Sequence, residues 1–444
     1  MIHILALVIL FPVVAAAQEE VWRSVGFGNV YRISATRLSV YEVTPSTCVH
    51  RFDASRAEPQ GTFRKTDGAL LTFSPGDSSG LGTIHSAGSL YKIRLERITA
   101  LPSYCTPTST NTPQTVFDAF ANSFEEHYIS FDRRGVDWQK AIREYRGRIS
   151  SQSTPQQTFD VLESMRLGLH DLHTGIEAPA LKRESATSFR PGSDRLIGSS
   201  VDHFAGKGRR ALFSITDRAL ARSKLKSFCR GQLQYTQLDN GAGYLRILSF
   251  GGYARHGKDR TALDQAFDQI LATPKLRALI IDLRLSFGGE DQLALAIAAR
   301  LSPKRYLAFR IEPRVPSGSA RLADAVYVEP SGKRVFSGPV IVLTSPVTMS
   351  AAEVLVLSLR GRSPKVHVIG EPTQGVFCDP LERLLPNGWT FALPNTVYRT
   401  PQGETFDVEG IPPDIAVPVF TKEDVAAGND AAIVRTLRLL AEIQ

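Results

Sequence analysis

Residues 276–369 have the alternating pattern of buried strands and helices that forms the core of an α/β fold. A short apolar and β-branched run at 277–284 leads through two glycines to an Ala/Leu-rich segment at 291–301. Two more short apolar runs follow at 340–343 and 366–369. The short runs predict buried strands and the Ala/Leu-rich segment predicts a helix. Strands that alternate with helices predict right-handed crossovers and a mostly parallel sheet, whose ligands lie at the carboxyl ends of its strands.

The hydrophobic pattern divides the chain beyond its first residues into four parts. Residues 18–108 alternate apolar and polar positions between Gly-rich turns, which predicts a small antiparallel β domain. Residues 109–180 carry apolar side chains at helical spacing, so we predict a short helical bundle that ends in a histidine turn. Residues 181–232 are polar and rich in serine, and we expect an irregular connecting segment there. The α/β core occupies residues 233–444.

The first residues have the pattern of an export signal. Residues 1–17 contain an apolar run that ends in three consecutive alanines, which predicts a secretory signal peptide with a small-residue cleavage site. The run is short for a bilayer span and contains Pro12, and no other apolar stretch is long enough to span. We therefore expect a secreted or periplasmic protein with no stable membrane insertion after signal removal.

The cysteines and the net charge argue for disulfides and against a metal site or nucleic-acid binding. Four cysteines in an exported chain are expected to form disulfides, and although three pairings are possible, we predict Cys48 with Cys105 and Cys229 with Cys378. No CxxC or HExxH motif occurs, so no metal site is predicted. The net charge of +8 comes from scattered basic residues without interleaved aromatics, which argues against nucleic-acid binding.

Ser350 is the candidate nucleophile. It follows the predicted strand at 340–343 and opens a helix, so its hydroxyl lies near backbone N–H groups and the positive end of the helix dipole. An attacking oxygen and a developing oxyanion are both stabilised at such a position. The alternative is that Ser350 only caps the helix, with Glu353 completing an S-x-x-E capping box, and local sequence alone favours the cap.

Three further features have both a catalytic and a structural interpretation. Gly288 and Gly289 permit backbone amides to approach a substrate carbonyl, although glycines after a strand are also routine turn residues. His173 would act as a general base if it reached Ser350, although a histidine after a helix more often satisfies a carbonyl or faces solvent. Asp171 is either an orienting group for that histidine or a helix-end cap.

Several segments are more specific together than any one alone, and they stand here as VFDAFANSFEEHYISFDRRGVDW, LGLHDLHTG, IIDLRLSFGG, VIVLTSPVTMSAAE, VIGEPTQG, LPNGW and EGIPPDIAV. They cover roughly residues 113–180 and 233–418. Together they resemble the C-terminal processing, or tail-specific, serine peptidases, a family that includes the tricorn core and the interphotoreceptor retinoid-binding repeats. The fold that this resemblance implies is a ClpP/crotonase-like βαβ core.

The resemblance implies a role for each matched residue. The nucleophile falls on Ser350, and the oxyanion amides fall on the Gly288-Gly289 turn and on Ala351. One branch of the family places a catalytic lysine directly after its G-E-x-T-x-G motif, but Val376 stands here and no lysine follows up to residue 393.

The tricorn-like branch instead takes its base from the L-x-D-x-H-T turn, which falls on His173. Leu172 stands where tricorn has a serine. The family glutamate has two candidate positions, of which we prefer Glu409 to Asp407. Residues 181–232 are too short for the PDZ module that the lysine branch usually carries.

We therefore expect an exported serine endopeptidase that acts on polypeptides through an acyl-enzyme and needs no metal or organic cofactor. Ser350 attacks, His173 serves as base and then acid, and Glu409, Asp407 or Asp171 orients the imidazole. One alternative is a catalytically silent module that binds an apolar ligand or peptide. A third possibility is a carboxylic ester hydrolase that uses the same residues.

Overall fold

The structure is a computed structural model that describes residues 19–76, 80–185, 189, 193, 196, 208–221, 225–315 and 323–443. The predicted signal peptide and much of the predicted connecting segment lie outside these residues. Within them, no helix combines the length and apolar character needed to cross a membrane.

The N-terminal part is a closed antiparallel barrel. Its strands are β1 Glu20–Ser24, β2 Asn29–Ile33, β3 Arg37–Val43, β4 Cys48–Ala57, β5 Thr62–Arg64, β6 Leu70–Pro75, β7 Leu81–Ser86 and β8 Ile93–Ile98. Each strand pairs with the next, and β8 returns to pair with β1, so the barrel has no open edge. Apolar side chains such as Trp22, Phe63 and Phe73 fill its interior. The predicted disulfide between Cys48 and Cys105 is present and fastens β4 to the chain beyond β8.

Four helices follow the barrel: α1 Pro113–His127, α2 Phe131–Arg134, α3 Trp138–Arg146 and α4 Pro155–Leu167. Capping boxes on Thr112 and Thr154 open α1 and α4, and a proline follows each cap. The apolar faces of these helices pack against Trp389 and Phe391, which belong to a hairpin near the end of the chain. The helical region is therefore joined to the core and does not stand alone.

The remaining elements complete the core. In chain order they are β9 Gly175–Ala178, β10 Arg183–Glu184, α5 Arg209–Ala219, β11 Lys226–Phe228, β12 Leu233–Gln237, β13 Ala242–Ile247, α6 Asp259–Leu271, β14 Ala278–Asp282, α7 Asp291–Leu301, β15 Tyr306–Pro313, β16 Asp324–Val328, β17 Val340–Thr344, α8 Ala351–Leu359, β18 His367–Gly370, β19 Leu381–Leu384, β20 Thr390–Leu393, β21 Thr396–Arg399, β22 Ile415–Ala416, α9 Lys422–Ala427 and α10 Ala431–Ile443.

A seven-stranded sheet in the order β11-β12-β13-β14-β17-β18-β22 forms the centre. The strands from β13 to β22 are parallel, whereas β11, β12 and β13 pair antiparallel. Helices α6, α7 and α8 cover one face, where Phe267, Ile297 and Leu355 are buried. Helix α10 covers the other face, where Ile433 packs with Ile280. This α/β architecture with a mostly parallel sheet and a small β domain before it confirms the predicted fold class.

One smaller sheet, β10-β9-β20-β19, joins the helical region to the core, whereas another, β16-β15-β21, packs within the core cluster. Strand β9 directly follows the histidine turn and pairs with β20, with Ile176 opposite Phe391. Strands β19 and β20 form a hairpin about the Pro-Asn-Gly turn at residues 386–388. A strand from the last quarter of the chain therefore holds the segment that carries the histidine.

The structure differs from the sequence predictions at two places. Helix α5 and strand β11 lie inside the segment expected to be irregular, because apolar positions such as Leu212 and Ile215 are buried despite an Arg-rich sequence. The predicted pairing of Cys229 with Cys378 is wrong, since both are free buried thiols. Cys229 lies near Asp259, whereas Cys378 lies beside the histidine turn.

Candidate active site

Strand β17 ends in a turn that is fastened to the neighbouring strand β14. The Thr348 hydroxyl donates to the carbonyl of Leu283 at 2.9 Å, and the Ser345 N–H donates to Thr348 Oγ1 at 3.0 Å. This turn delivers Ser350 to the carboxyl edge of the sheet at the start of α8. Ser350 has φ 54° and ψ −128°, in a region that non-glycine residues rarely occupy. Such strain is concentrated at functional sites because surrounding contacts must maintain it.

Glu353 fixes this strained turn. Ser350 is the N-cap of α8 and forms the predicted capping box, in which its N–H donates to Glu353 Oε2 at 3.1 Å. The same carboxyl accepts the N–H groups of Gly375 at 2.7 Å and Val376 at 2.9 Å, and the hydroxyl of Thr373 at 2.5 Å. Burial raises the pKa of Glu353 to about 7, although these hydrogen bonds oppose the shift. Ser350 can cap the helix and also act as the nucleophile, because a hydroxyl oxygen that accepts a hydrogen bond from an N–H group still carries its own proton.

The predicted oxyanion turn lies directly against the serine. A Cβ added to Gly288 would lie 2.7 Å from Ser350 Cβ and 2.9 Å from the nitrogen of Ala351. Gly288 and Gly289 have φ values of +83° and +139°, which favour glycine. The Phe250 N–H donates to the Gly288 carbonyl at 2.8 Å and holds the turn in place. Because Ala351 is the first residue of α8, the helix provides no acceptor for its N–H.

Asp171 holds the histidine turn through the backbone. Its Oδ1 accepts the N–H of His173 at 2.9 Å, and its Oδ2 accepts the Tyr128 hydroxyl at 2.7 Å. Arg134 forms an ion pair with the same oxygen at 3.2 Å and donates to the carbonyl of His170 at 2.5 Å. The carboxylate therefore contacts the main chain of His173, in contrast to the expected contact with the ring.

The His173 imidazole is suited to act as a neutral base. Burial lowers its pKa below the ordinary value, and Arg134 adds to this effect, whereas Asp171 and the backbone of Cys378 oppose it. Its Nδ1 is buried and has no hydrogen-bond partner among the described residues. None of the three expected carboxylates therefore bonds this nitrogen.

One short segment, residues 376–378, connects the serine with the histidine turn. The Val376 carbonyl accepts the N–H of Ser350 at 3.0 Å. A hydrogen bond with the Cys378 backbone raises the pKa of the His173 imidazole and so partly offsets the effect of burial. Leu172, next to the histidine, packs against the apolar cluster that contains Met349 and Val376. The two predicted halves of the site thus meet on this segment.

The two C-terminal carboxylates lie in different surroundings. Asp407 is buried, and this burial raises its pKa to about 7, with Asp171 acting in the same direction. The Thr405 hydroxyl donates to Asp407 Oδ2 at 2.7 Å. The Glu409 side chain is 60% exposed and pairs with Arg133 at 2.6 Å. Asp407 is therefore the carboxylate beside the histidine turn, whereas Glu409 faces the surface.

Sequence reasoning missed Tyr128 and Arg134, which secure Asp171. Both lie within the HYISFDRR part of a motif that carried the family resemblance, and that motif was their only signal. The role of Glu353 beyond capping was also missed, because its partners at 373–376 are distant in sequence. Among the described residues, no group of three or more His, Cys, Asp or Glu side chains is arranged to hold a metal ion.

The chain resembles known peptidases in sequence and in fold. Residues 241–417 match the model of peptidase family S41, and residues 109–166 match the tricorn protease C1 domain. A protein from Parabacteroides merdae assigned as a peptidase has a similar structure, with a TM-score of 0.60, 25% identity, and coverage of 74% of this chain and 97% of its own. Mature CPAF has a similar fold at 12% identity and a TM-score of 0.50, with coverage of 71% of this chain and 94% of its own. No curated protein matches the chain.

Proposed function

The chain belongs to peptidase family S41 and is a serine-type endopeptidase, and from this premise we propose that it cleaves polypeptides through an acyl-enzyme formed on Ser350. The observation that carries the proposal is the close approach of Gly288 to a strained Ser350 at the start of α8. This approach supports the proposal because the two segments would supply the nucleophile and the backbone N–H donors at one point at the carboxyl edge of the sheet.

Each step uses a group of this chain. His173 takes the proton from the Ser350 hydroxyl as its oxygen attacks the scissile carbonyl carbon. The N–H groups of the Gly288-Gly289 turn and of Ala351 stabilise the oxyanion that forms. The protonated imidazole then gives its proton to the leaving amine. Water hydrolyses the acyl-enzyme with His173 again as base, which restores the serine.

We propose that Asp171 and Asp407 position the base and that Glu409 does not. Asp171 acts through the His173 backbone, and its hydrogen bond with Tyr128 fixes that contact. Asp407 is buried near Asp171, whereas Glu409 pairs with an arginine at the surface. Glu409→Gln should therefore retain kcat/KM, and Asp407→Asn should reduce it, when peptide hydrolysis by the folded variants is measured.

A fluorophosphonate probe tests the nucleophile. It should label the wild-type protein, and Ser350→Ala should abolish labelling, whereas Ser164→Ala, an exposed serine on α4, should label normally. Labelling that persists in the Ser350→Ala protein would contradict the assignment of Ser350 as the nucleophile. Ester and peptide substrates assayed in parallel separate the peptidase from a carboxylic ester hydrolase. A folded wild-type protein that neither labels nor hydrolyses would instead be a binding module.

We further propose that the protein is exported. The apolar run at residues 2–17 and the disulfide between Cys48 and Cys105 support an oxidising compartment. N-terminal sequencing of protein recovered outside the cytoplasm should find that the mature chain begins near Gln18. An uncleaved cytoplasmic product would contradict export and would leave the catalytic proposal intact.

A further inference from the structure

The barrel is fastened to the core through a buried arginine on strand β19. Arg383 is only 2% exposed, and its guanidinium enters the rim of the barrel. There it donates to the carbonyls of Phe27 at 3.1 Å, Gly28 at 2.9 Å and Val43 at 3.0 Å, and to Asn29 Oδ1 at 3.3 Å. One side chain of the core thus contacts both the turn between β1 and β2 and the end of β3.

A carboxylate of the barrel makes the return contact. Glu42, on β3, is buried, and its Oε2 accepts the backbone N–H of Leu384 at 2.6 Å. The same oxygen lies 3.7 Å from Arg383 Nε. Arg51, on β4, bonds Glu42 Oε1 and pairs at 3.2 Å with the carboxylate of Glu382 on β19. Because β19 is the last strand of its sheet, Glu42 takes the place of a neighbouring strand at the free edge.

Stability alone is a weak reason for such a buried ionic contact. Burial lowers the pKa of the Arg383 guanidinium, although Glu42 opposes this effect, so the charge is costly to keep inside the protein. Replacing a buried ion pair with apolar side chains often leaves stability unchanged or raises it, whereas the best-attested use of such a pair is to fix one register between two elements. The contact therefore defines how the barrel is oriented on β19.

The same arginine begins a row of paired strand residues that ends near the catalytic base. Arg383 lies opposite Phe391 on β20, and Phe391 lies opposite Ile176 on β9. Ile176 is buried and follows His173 by three residues. The strand row spans two strand spacings, or about 10 Å. Because hydrogen bonds fix the spacing of paired strands, a displacement of β19 displaces β9 and the histidine turn before it.

We propose that Arg383 is a positioning residue of the peptidase, which docks the barrel on β19 and thereby fixes the strand row that sets the place of His173 relative to Ser350. The proposal rests on the proposed catalytic use of these two residues. Arg383 contacts no reacting atom and acts only through the sheet. The barrel is then a part of the catalytic machinery, in contrast to a separate binding module attached to it.

Arg383→Met in the full mature chain tests the proposal, with Arg362→Met as the matched control. Arg362 is also a buried arginine that donates to backbone carbonyls, but it follows the far end of α8, the helix that Ser350 opens. Its acceptors are the carbonyls of Leu301, Phe336, Gly338 and Pro364. Both variants lose the hydrogen bonds of a buried guanidinium, so both should lose stability in urea unfolding.

Kinetics separate the positioning role from a merely structural one. Arg383→Met should lower kcat for peptide hydrolysis and the rate of fluorophosphonate labelling by about ten- to a hundredfold. It should leave KM within about twofold, because substrate binding does not depend on the base. Arg362→Met should retain both constants. A loss confined to KM would mean that the barrel binds substrate and would overturn the proposal, as would wild-type kcat in folded Arg383→Met protein.

The pKa of His173 gives a readout that needs no hydrolysis. Burial lowers this pKa, so loosening of the turn in Arg383→Met should return it toward 6.5, since Asp171 and Arg134, which also act on the ring, are unchanged. NMR titration of the imidazole measures the shift, and the signal lost in His173→Gln assigns it. Arg362→Met should keep the wild-type pKa. An unchanged pKa in Arg383→Met would contradict the proposal.

The two readouts distinguish failure of this proposal from failure of the proposed function. A raised His173 pKa, in a protein whose wild type shows no labelling of Ser350, would support the positioning role and contradict catalysis by that serine. If Arg383→Met does not fold, Arg51→Gln is the second test, because Arg51 is partly exposed and links Glu42 with β19. It should slow labelling by about fivefold, the worth of one hydrogen bond, and raise the same pKa. Wild-type values in that variant would overturn the proposal.

Discussion

The approach of Gly288 to Ser350 gives the most direct prediction about catalysis. In Gly288→Ala, the new Cβ would lie 2.7 Å from both the Met349 carbonyl oxygen and Ser350 Cβ, and 2.9 Å from the Ala351 nitrogen. Two of these atoms belong to the backbone of the nucleophile turn, so they cannot rotate away as a flexible side chain would. The turn must move, and the oxyanion donors move with it.

The expected loss has two separable parts. A residue with a side chain at φ +83° costs roughly 1–2 kcal/mol of stability through backbone strain alone. Displacement of one oxyanion donor typically lowers kcat by roughly a hundred- to a thousandfold. We therefore expect Gly288→Ala to lower kcat/KM for a peptide substrate by about that factor, together with slower fluorophosphonate labelling of Ser350.

Gly388 provides the control for strain. Its φ is +81°, close to that of Gly288, but a Cβ there would meet nothing within 4 Å. Gly388→Ala should therefore lose a similar amount of stability in urea unfolding and retain full activity. Activity within about threefold of wild type in folded Gly288→Ala would refute the reasoning, because it would mean that the turn does not hold the oxyanion.

Three further predictions concern the base and the core. Tyr128→Phe removes the 2.7 Å hydrogen bond to the aspartate of the histidine turn, and should slow fluorophosphonate labelling by up to about a hundredfold; an unchanged labelling rate would contradict this role. Since burial lowers the pKa of His173 from 6.5 and only the neutral ring accepts a proton, kcat/KM should fall with decreasing pH at a midpoint below 6.5; a midpoint above 7 would exclude this base. Arg284 pairs at 2.7 Å with two buried aspartates, so Arg284→Met should lower the unfolding free energy by about 3–5 kcal/mol in urea titrations, whereas exposed Arg305→Met should leave it unchanged.

The sequence predicted the local parts of the site because local patterns determine them. Strands that alternate with helices in one direction bring their carboxyl ends to one edge, so the Gly288 turn and Ser350 were expected to meet. The capping box with Glu353 was predictable for the same reason, since its residues are three positions apart. Closure of the barrel was not predictable from the sequence, because it depends on pairing between β1 and β8, which lie far apart along the chain.

The choice between carboxylates shows where sequence reasoning fails. Asp407 and Glu409 are two residues apart, and the motif favours Glu409, yet Asp407 is buried beside Asp171 and Glu409 pairs with Arg133 in solvent. Which of two neighbouring side chains is buried is set by the packing of distant segments, which no local pattern records. The free state of Cys229 and Cys378 has the same origin, because packing buries the two thiols in different surroundings, Cys229 near Asp259 and Cys378 near Asp171.

The pairing of β9 with β20 has a consequence for biosynthesis. A ribosome makes the histidine turn first, then the serine, and only some forty residues later, at Thr390–Leu393, the strand that lies beside β9. A nascent chain thus carries both reactive side chains before the strand that fixes their relation exists. Domains and their contacts form in the order of synthesis, so the peptidase becomes competent only near the end of translation. We therefore expect chains truncated before residue 390 to lack peptidase activity.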